Sequence, residues 1–409
     1  MGIRIECING APKVDTLDHL PLLPLFVDYR HRRDGVELTG QDESSIYHAL
    51  RLHNRIRHID LSLPSSILHK VFVLMDEHFP IMERLTLSSS DQSSIPLTLP
   101  KAFLAPNLRS LTLLHIGLAK RLRVLTSTES LVRLQLSEIQ TSSYSRPRLL
   151  VARLRSLPYL EDLHISFSVP IPRPSAEREL LGEQGAPVTL PRLKKLWFKG
   201  VSAYLESLVA QIRVPLLESL SITLFNQIAF ALPHLSRLIS ITEGFKLPKA
   251  TVYFHSNFAS VAMTPQGSKW SDMGPFFLRV MCKDLDWQID CAAQICHALI
   301  PALSNIERLA LDFFGRNIPT ELQNGEIDST TWHELLRSYV EVKELYIDKR
   351  LLEELSRALL VDEVGLDPAF LPNLQNITAE DNRFASFIET RQIVGRPVQF
   401  SGLPPSKST

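Results

Sequence analysis

The amino-acid sequence predicts an α/β fold, in which helices cover one side of a parallel β-sheet, on three observations. An apolar pattern of six positions recurs along most of the 409 residues. The segments between its copies carry apolar residues near helical spacing, so strands and helices are expected to alternate. Proline, with 27 residues, outnumbers glycine, with 16. That balance suits many short connections better than a glycine-rich catalytic scaffold.

The recurring pattern has aliphatic residues at its first and fourth positions and an aliphatic residue or Phe at its sixth. Its copies are Ile56–Leu61, Met82–Leu87, Leu108–Leu113, Leu131–Leu136, Leu160–Ile165, Leu193–Phe198, Leu217–Ile222, Ile306–Leu311, Val342–Ile347 and the weaker Leu374–Ile377. The first seven copies begin 23 to 33 residues apart. Such spacing is typical of leucine-rich repeats, each with one strand and one return segment. We therefore predict a leucine-rich repeat solenoid, an irregular horseshoe with the parallel sheet on its concave side and helices on its convex side.

The segment LPRLKKLWFKG shows the phase of one copy. Read as a strand, it places Leu196 and Phe198 on one side of the sheet. Lys195, Trp197 and Lys199 then point to the other side. Read as a helix, the same apolar residues would be spread around the cylinder. The strand interpretation is therefore preferred.

Several return segments are predicted to be helical. Ser65–Phe79, Arg146–Pro158 and Gly200–Ile212 each carry apolar residues on one helical face. A further helix is expected at Asp284–Leu303. Each of these segments follows a predicted strand, as the alternation requires.

The predicted domain organisation is a single long array. Residues 1–40 form an N-terminal cap, and residues 41–400 form the solenoid. The periodicity fades near 246–284, where KATVYFHSNFASVAMTP alternates like a hairpin and Pro275–Cys282 resembles a further strand. We expect a small meander inserted there. Residues 401–409 are predicted to be a disordered tail.

Composition restricts the class of protein. Lys plus Arg and Asp plus Glu are both 44, so no overall charge favours nucleic acid or an anionic membrane. The four cysteines, Cys7, Cys282, Cys291 and Cys296, are too few for a disulfide framework. No signal-peptide core and no membrane-length apolar stretch occurs. We expect a cytoplasmic or nuclear protein that does not bind membranes.

Motifs for enzymatic chemistry are not found. No phosphate-binding glycine loop, nucleophile elbow or metalloprotease motif occurs. Cys282, Cys291, Cys296 and His297 could form a zinc set, but the preferred interpretation is that the cysteines are small buried apolar residues. His53, His58 and Asp60 resemble fragments of a catalytic cluster. His58 and Asp60 share a strand face, which a solvated sheet surface explains equally well. We expect no enzyme, no cofactor and no metal.

The outward positions of the strands are the candidate binding residues. They are Arg84, Arg133, Gln135, Asp162, His164, Lys195, Trp197 and Lys199. Trp197 lies between two lysines, a composition typical of an interface anchor. Alternatively, its ring folds down over neighbouring Thr or Leu side chains. The pattern itself leaves both possibilities open.

Leu20–Pro64 (LPLLPLFVDYRHRRDGVELTGQDESSIYHALRLHNRIRHIDLSLP) resembles the fungal F-box-like leucine-rich repeat proteins. The resemblance continues through LWFKGVSAYLESLVAQI, PLLESLSITLFNQIAFALPHL, DLDWQIDCAAQI and FASFIETRQIVGRPV, so it covers most of the chain. It implies an F-box that docks onto the adaptor of a cullin-based ubiquitin ligase, followed by a target-binding repeat array. Here Leu20–Pro21 leads directly into the strand-like LFVDYR, so the F-box itself is expected to be missing. Adaptor binding is then expected only if an F-box is supplied.

The sequence therefore favours a protein-protein interaction scaffold, plausible as the substrate-recognition part of an F-box-type ubiquitin-ligase receptor. One alternative is a solenoid that binds nucleic acid or phosphate through Arg84, Arg133, Lys195 and Lys199. Another is an enzyme with a site on the concave face. The protein target itself stays unidentified at this level.

Overall fold

A computed structural model describes most of the chain as a mixed α/β fold with extensive, mostly parallel β-sheet. The described residues are 3–6, 23–30, 38–91, 97–117, 124–140, 146–170, 186–227, 229–269, 274–282, 285–314, 329–360 and 371–402. The chain divides into two compact units. The N-terminal unit is Met1–Gly200 with Ala210–Leu217, and the C-terminal unit is Val201–Val209 with Glu218–Thr409.

The N-terminal unit contains a parallel sheet whose strands follow one another in chain order. They are β1 (Ile3–Glu6), β2 (Leu25–Arg30), β3 (Ile56–Leu63), β4 (Arg84–Ser89), β6 (Ser110–Leu114), β8 (Arg133–Ile139), β9 (Asp162–Phe167) and β11 (Lys195–Gly200). Short parallel pairs lie outside this sheet: β5 (Leu97–Thr98) with β7 (Ile116–Gly117), and β10 (Val188–Thr189) with β12 (Ile212–Arg213). The predicted strands of the first six repeat copies are thus confirmed as parallel neighbours.

The register of these strands explains the repeat. Residues at the sixth position of successive copies are hydrogen-bonded neighbours, and all are almost fully buried: Leu61, Leu87, Leu113, Leu136, Ile165 and Phe198. The fourth-position residues form a second buried line, which ends at Leu196. Equal positions in every copy therefore stack into continuous apolar rows, which hold one face of the sheet in the core.

The helices of the N-terminal unit lie in the return segments. They are α1 (Gly40–Arg51), α2 (Ser65–Leu74), α3 (Val124–Ser127) and α4 (Pro147–Leu154). Helix α1 begins with a capping box, in which the Thr39 hydroxyl accepts a hydrogen bond from the backbone N–H of Asp42 at 3.2 Å. Predicted helices over Ser65–Phe79 and Arg146–Pro158 exist but end earlier, at Leu74 and Leu154.

The sheet of the C-terminal unit contains a reversal. Its strands are β13 (Ser219–Leu224), β14 (Lys249–His255), β15 (Phe258–Thr264), β16 (Phe276–Met281), β17 (Arg308–Phe314), β18 (Glu344–Ile347), β19 (Asn376–Ala379) and β20 (Gln399–Gly402). Their order is β13-β16-β15-β14-β17-β18-β19-β20, and only the β16–β15 and β15–β14 pairs are antiparallel. A meander therefore lies within the range where the sequence loses its period.

The turn before β16 requires a glycine. Gly274 has a φ of +68°, and a Cβ atom there would lie 2.1 Å from the carbonyl oxygen of Met263. At the far end of the sheet, Ser401 and Gly402 of β20 pair with Thr378 and Ala379 of β19. The prediction that the disordered tail begins at residue 401 is therefore wrong for these two residues, because backbone pairing orders them.

The helices of the C-terminal unit are α5 (Ser202–Val209), α6 (Pro233–Ile241), α7 (Leu285–Ala298), α8 (Ile300–Leu303), α9 (Ser329–Arg337), α10 (Leu352–Leu360) and α11 (Ala385–Ile393). Helix α7 packs against the meander strands. The prediction of one continuous helix over Asp284–Leu303 is wrong, since the helix is interrupted at Leu299. Pro301 explains the break, because proline has no N–H for a helix interior and fits the first turn of a new helix.

Among the described helices, none is long and apolar enough to cross a bilayer. The mixed α/β class and the parallel sheet are confirmed. The leucine-rich repeat solenoid and its horseshoe curvature stay predictions, as does the extent of an N-terminal cap in residues 1–40.

Candidate functional site

The candidate residues of the N-terminal unit lie on one surface, which we call the polar sheet face. It consists of the outward positions of β3, β4, β6, β8, β9 and β11, which alternate with the buried apolar rows. One row across the strands contains Arg84, Ser110, Arg133, Asp162 and Lys195. The next contains Thr86, Thr112, Gln135, His164 and Trp197. The strand phase predicted from the sequence places these residues correctly.

Charges alternate in sign along part of the first row, from Arg133 through Asp162 to Lys195. Arg133 Nε lies 3.3 Å from a carboxylate oxygen of Asp162, and Lys195 follows Asp162 on the next strand. These side chains are well exposed, so the Arg133–Asp162 pair contributes little to stability. It does hold an acid between two bases, which gives this edge of the face a defined charge pattern.

The centre of the second row is an aromatic stack. The rings of His164 and Trp197 are 3.8 Å apart with an angle of 26° between their planes. Burial lowers the pKa of His164 to about 4, so the imidazole is neutral near pH 7. Trp197 is half-buried. Its ring lies against a histidine of the adjacent strand. The sequence alternatives, an exposed anchor or a ring folded over Thr or Leu side chains, did not include this contact.

A third row contains a carboxylate that the sequence reasoning missed. The register of β8 against β9 shifts between Leu136 and Ile139, so Ser137 and Glu138 together occupy the place opposite Ser166. This is a β-bulge, and it re-aims the side chain of its extra residue. Strict alternation from Leu134 and Leu136 would have assigned Glu138 to the core. A carboxylate at a position assigned to the core is the signal that could have revealed it.

The bulged residue connects three strands. The Glu138 carboxylate accepts a hydrogen bond from Lys199 Nζ at 2.8 Å and another from the Ser166 hydroxyl at 3.1 Å. Glu138 has a φ of 52°, a conformation that non-glycine residues rarely adopt. Such a conformation persists only where the surroundings stabilise it. Here the ion pair with Lys199 and the hydrogen bond from Ser166 do so.

Together these contacts define a surface we call the central patch, made of Gln135, Glu138, His164, Trp197 and Lys199. Its middle is a flat, uncharged ring stack, and its rim carries polar groups that are already paired. A half-buried aromatic centre with a polar rim is the usual composition of a protein-protein interface. By contrast, Arg84 and Lys195 are exposed and make no ion pair with any described residue.

The candidate residues for metal binding or catalysis make contacts that are typical of structural residues. Cys282, Cys291 and Cys296 are buried, and Cys296 Sγ lies 3.1 Å from the hydroxyl of Tyr339. In the described part of the chain, no group of three or more His, Cys, Asp or Glu residues is arranged to hold a metal. His58 contacts Phe26 edge-on at 4.6 Å, and burial lowers its pKa.

The segment Asp28–Gly35 (DYRHRRDG) is a basic cluster flanked by acids, which the sequence predicts to be a solvated loop or an anion site. Asp28 and its neighbours to Arg30 end strand β2. Residues 31–35 lie outside the described residues, so the loop and anion-site interpretations stay open.

Neither protein-family models nor curated proteins give a match to this chain.

Proposed function

We propose that this chain is a non-enzymatic protein-binding scaffold that contacts its target through the central patch of the N-terminal unit. The single observation that supports this most is the His164–Trp197 stack, which places two packed, uncharged rings on an otherwise polar sheet face. Large, rigid aromatic groups of this kind supply much contact area with little loss of conformational entropy.

The charges around the stack favour a protein over a nucleic acid. Of the four cations considered for phosphate binding, Arg133 is paired with Asp162 and Lys199 with Glu138. A phosphate backbone would have to displace these carboxylates or lie beside them, whereas it is usually bound by uncompensated Lys and Arg side chains. Only Arg84 and Lys195 lack such a pair among the described residues.

The finer proposal is that the repeats form a leucine-rich repeat solenoid that recognises targets for an F-box-type ubiquitin ligase. In-register parallel strands with helices in the return segments support the solenoid. The ligase role depends on the resemblance at Leu20–Pro64. It predicts that supplying an F-box would make the chain recruit the cullin adaptor and ubiquitinate the captured target.

The test is affinity capture from the native cell with the wild-type chain and two tryptophan variants. Trp197→Ala removes the stack, and we expect it to weaken target retention by the roughly 2 kcal/mol or more that an anchor residue contributes. Trp287→Ala is the matched control, because Trp287 is 58% exposed on helix α7 of the C-terminal unit. We expect it to retain the target fully.

Two results would count against the proposal. Equal retention by Trp197→Ala and wild type would remove the central patch as the binding surface. Binding to nucleic acid that weakens steeply with salt and with Arg84→Ala would favour the alternative function.

A further inference from the structure

The polar face of the C-terminal unit contains a cation whose surroundings differ from those of every other arginine discussed above. Arg279 is on β16, directly opposite Ser260 of β15, and its guanidinium lies 4.1 Å from the centre of the Phe258 ring and 5.1 Å from that of Phe277. Two aromatic faces therefore hold the planar group in place. No described carboxylate pairs with it.

Hydrogen-bonding capacity at this position is unused. The Nε–H of Arg279 is shielded from solvent and has no acceptor, and the hydroxyl of Ser260, which is only 2% exposed, has no partner. Thr251 and Thr264, on the same face of β14 and β15, also have buried hydroxyl oxygens without partners. Buried polar groups are normally satisfied, and each exception requires an explanation. Burial also lowers the pKa of Arg279, with no neighbouring acid to offset it.

A row of rings extends from this arginine to the surface. The Phe258 ring stacks on His255 at 4.5 Å with an angle of 5°, and His255 stacks on Phe314 at 5.9 Å with an angle of 20°. Phe314, at the end of β17, is 69% exposed. A strip of stacked aromatic rings, which begins at a cation and ends in solvent, thus crosses three strands.

We propose that Arg279 and the ring row form a docking site for an acidic segment of a partner polypeptide, with a carboxylate on Arg279 and an adjacent apolar side chain on His255 and Phe314. A carboxylate presents two oxygens in a plane, which matches the fork of a guanidinium. The single negative charge of a carboxylate balances the single positive charge of the arginine. A phosphate dianion carries a second charge that the described neighbours of Arg279 do not balance, and this favours the carboxylate.

This site is independent of the central patch, since it uses only residues of the C-terminal unit. It goes beyond the proposed function because it assigns a second surface and a specific ligand chemistry. Failure of one test leaves the other intact.

The experiment is a titration of the full chain with two capped synthetic peptides, GSFSDSG and GSFSNSG, followed by calorimetry or by the side-chain NMR signal of Arg279 Nε–H. The Phe and Asp of the first peptide are two apart, so both point to one side when it is extended. We expect saturable binding of the Asp peptide and at least about tenfold weaker binding of the Asn peptide, because a charged acceptor forms stronger hydrogen bonds with a guanidinium than a neutral amide does.

Variants of the same face separate the proposal from general charge attraction. Arg279→Gln and Phe314→Ala are each expected to weaken binding of the Asp peptide, the first by about tenfold or more. Arg308→Gln is the matched control, because Arg308 is on the same face but already donates to Glu344 at 3.0 Å. It should bind as wild type does. If Arg279→Gln does not fold, Arg279→Lys keeps the charge, and it should still lose most binding because lysine lacks the planar fork.

Three results would overturn the site. They are equal binding of the Asp and Asn peptides, unchanged binding by the folded Arg279 variant, and competition by inorganic phosphate at concentrations as low as those of the Asp peptide.

Discussion

Lys199 of the N-terminal unit and Arg279 of the C-terminal unit are both cations on the polar face of a sheet, and their surroundings are opposite. Lys199 donates to the Glu138 carboxylate at 2.8 Å. Arg279 lies on two aromatic rings with an unused donor and no described acid. The difference indicates that the cation of the central patch is already neutralised by a neighbouring acid, whereas Arg279 is available to the acid of the proposed partner.

Strand direction explains the contrast. In the N-terminal unit, parallel strands in register bring the same repeat position of each copy together, so Arg133, Asp162 and Lys195 meet as neighbours. In the C-terminal unit, β16 runs antiparallel to β15, so the neighbours of Arg279 are set by the meander and not by the repeat. Ser260 therefore lies opposite Arg279, at a position that a residue of another repeat would occupy in a regular array.

The largest expected effect concerns the two faces of β11. We expect Leu196→Ala to lower the free energy of unfolding by about 2–5 kcal/mol, because Leu196 is 1% exposed and its truncation leaves a cavity. Trp197→Ala, one residue further, should cost clearly less because its ring is half-buried. Chemical denaturation of both variants measures this. Equal losses would mean that Trp197 is a core residue and that the central patch is not a surface.

The next effect is a change in pH dependence. Burial lowers the pKa of His164 to about 4, below the value of about 6.5 for an unfolded chain. The unfolded state therefore binds more protons between these values, so stability should be complete above about pH 6.5 and should fall as the pH drops toward 4. His164→Phe keeps a flat ring beside Trp197 and should flatten the profile over this range. An unchanged slope in that variant would show that other groups cause the decline.

A smaller effect should distinguish the ion pairs of the polar sheet face. We expect a coupling of about 1 kcal/mol between Lys199 and Glu138, whose side chains are 24% and 29% exposed. The Arg133–Asp162 pair, at 54% and 32%, should show less than about 0.5 kcal/mol. Double-mutant cycles with alanine give both values. The reverse order would contradict the view that the ion pair with Lys199 stabilises the bulged conformation of Glu138.

The smallest expected effect is at Arg279. Arg279→Met should leave the free energy of unfolding within about 1 kcal/mol of wild type, because the loss of the cation–ring contacts is offset by removal of a desolvated charge. Thermal unfolding beside wild type measures the change. A loss several times larger would give Arg279 a structural role and would weaken the contrast drawn here.

Much of the N-terminal unit was predictable, because its register repeats the sequence. Positions Leu196 and Trp197 were assigned to opposite faces by alternation alone, and the structure agrees. Glu138 was not predictable in this way, since a bulge changes the phase of a strand by one residue and the pattern shows only a misplaced acid. The His164–Trp197 stack depends on side-chain rotation between strands, which periodicity does not contain.

The C-terminal unit was predictable in outline only. A hairpin and a further strand were expected where the period fades, but their pairing order, with β14 beside β17, depends on contacts far apart in the chain. The site at Arg279 follows from that order, because it brings Phe258 and Ser260 to β16. The amino-acid sequence near residue 279 does not indicate this site.

The meander also has a consequence for how the chain folds. Lys249 reaches its partner Thr264 across a single hairpin, but it reaches Arg308 only across the whole of residues 250–307. Local pairing closes a short loop and is fast, whereas parallel pairing must first close a long one. We therefore expect β14, β15 and β16 to assemble early and to offer β17 a ready edge. In pulse-labelling hydrogen exchange, amides of β15 should gain protection before those of β18.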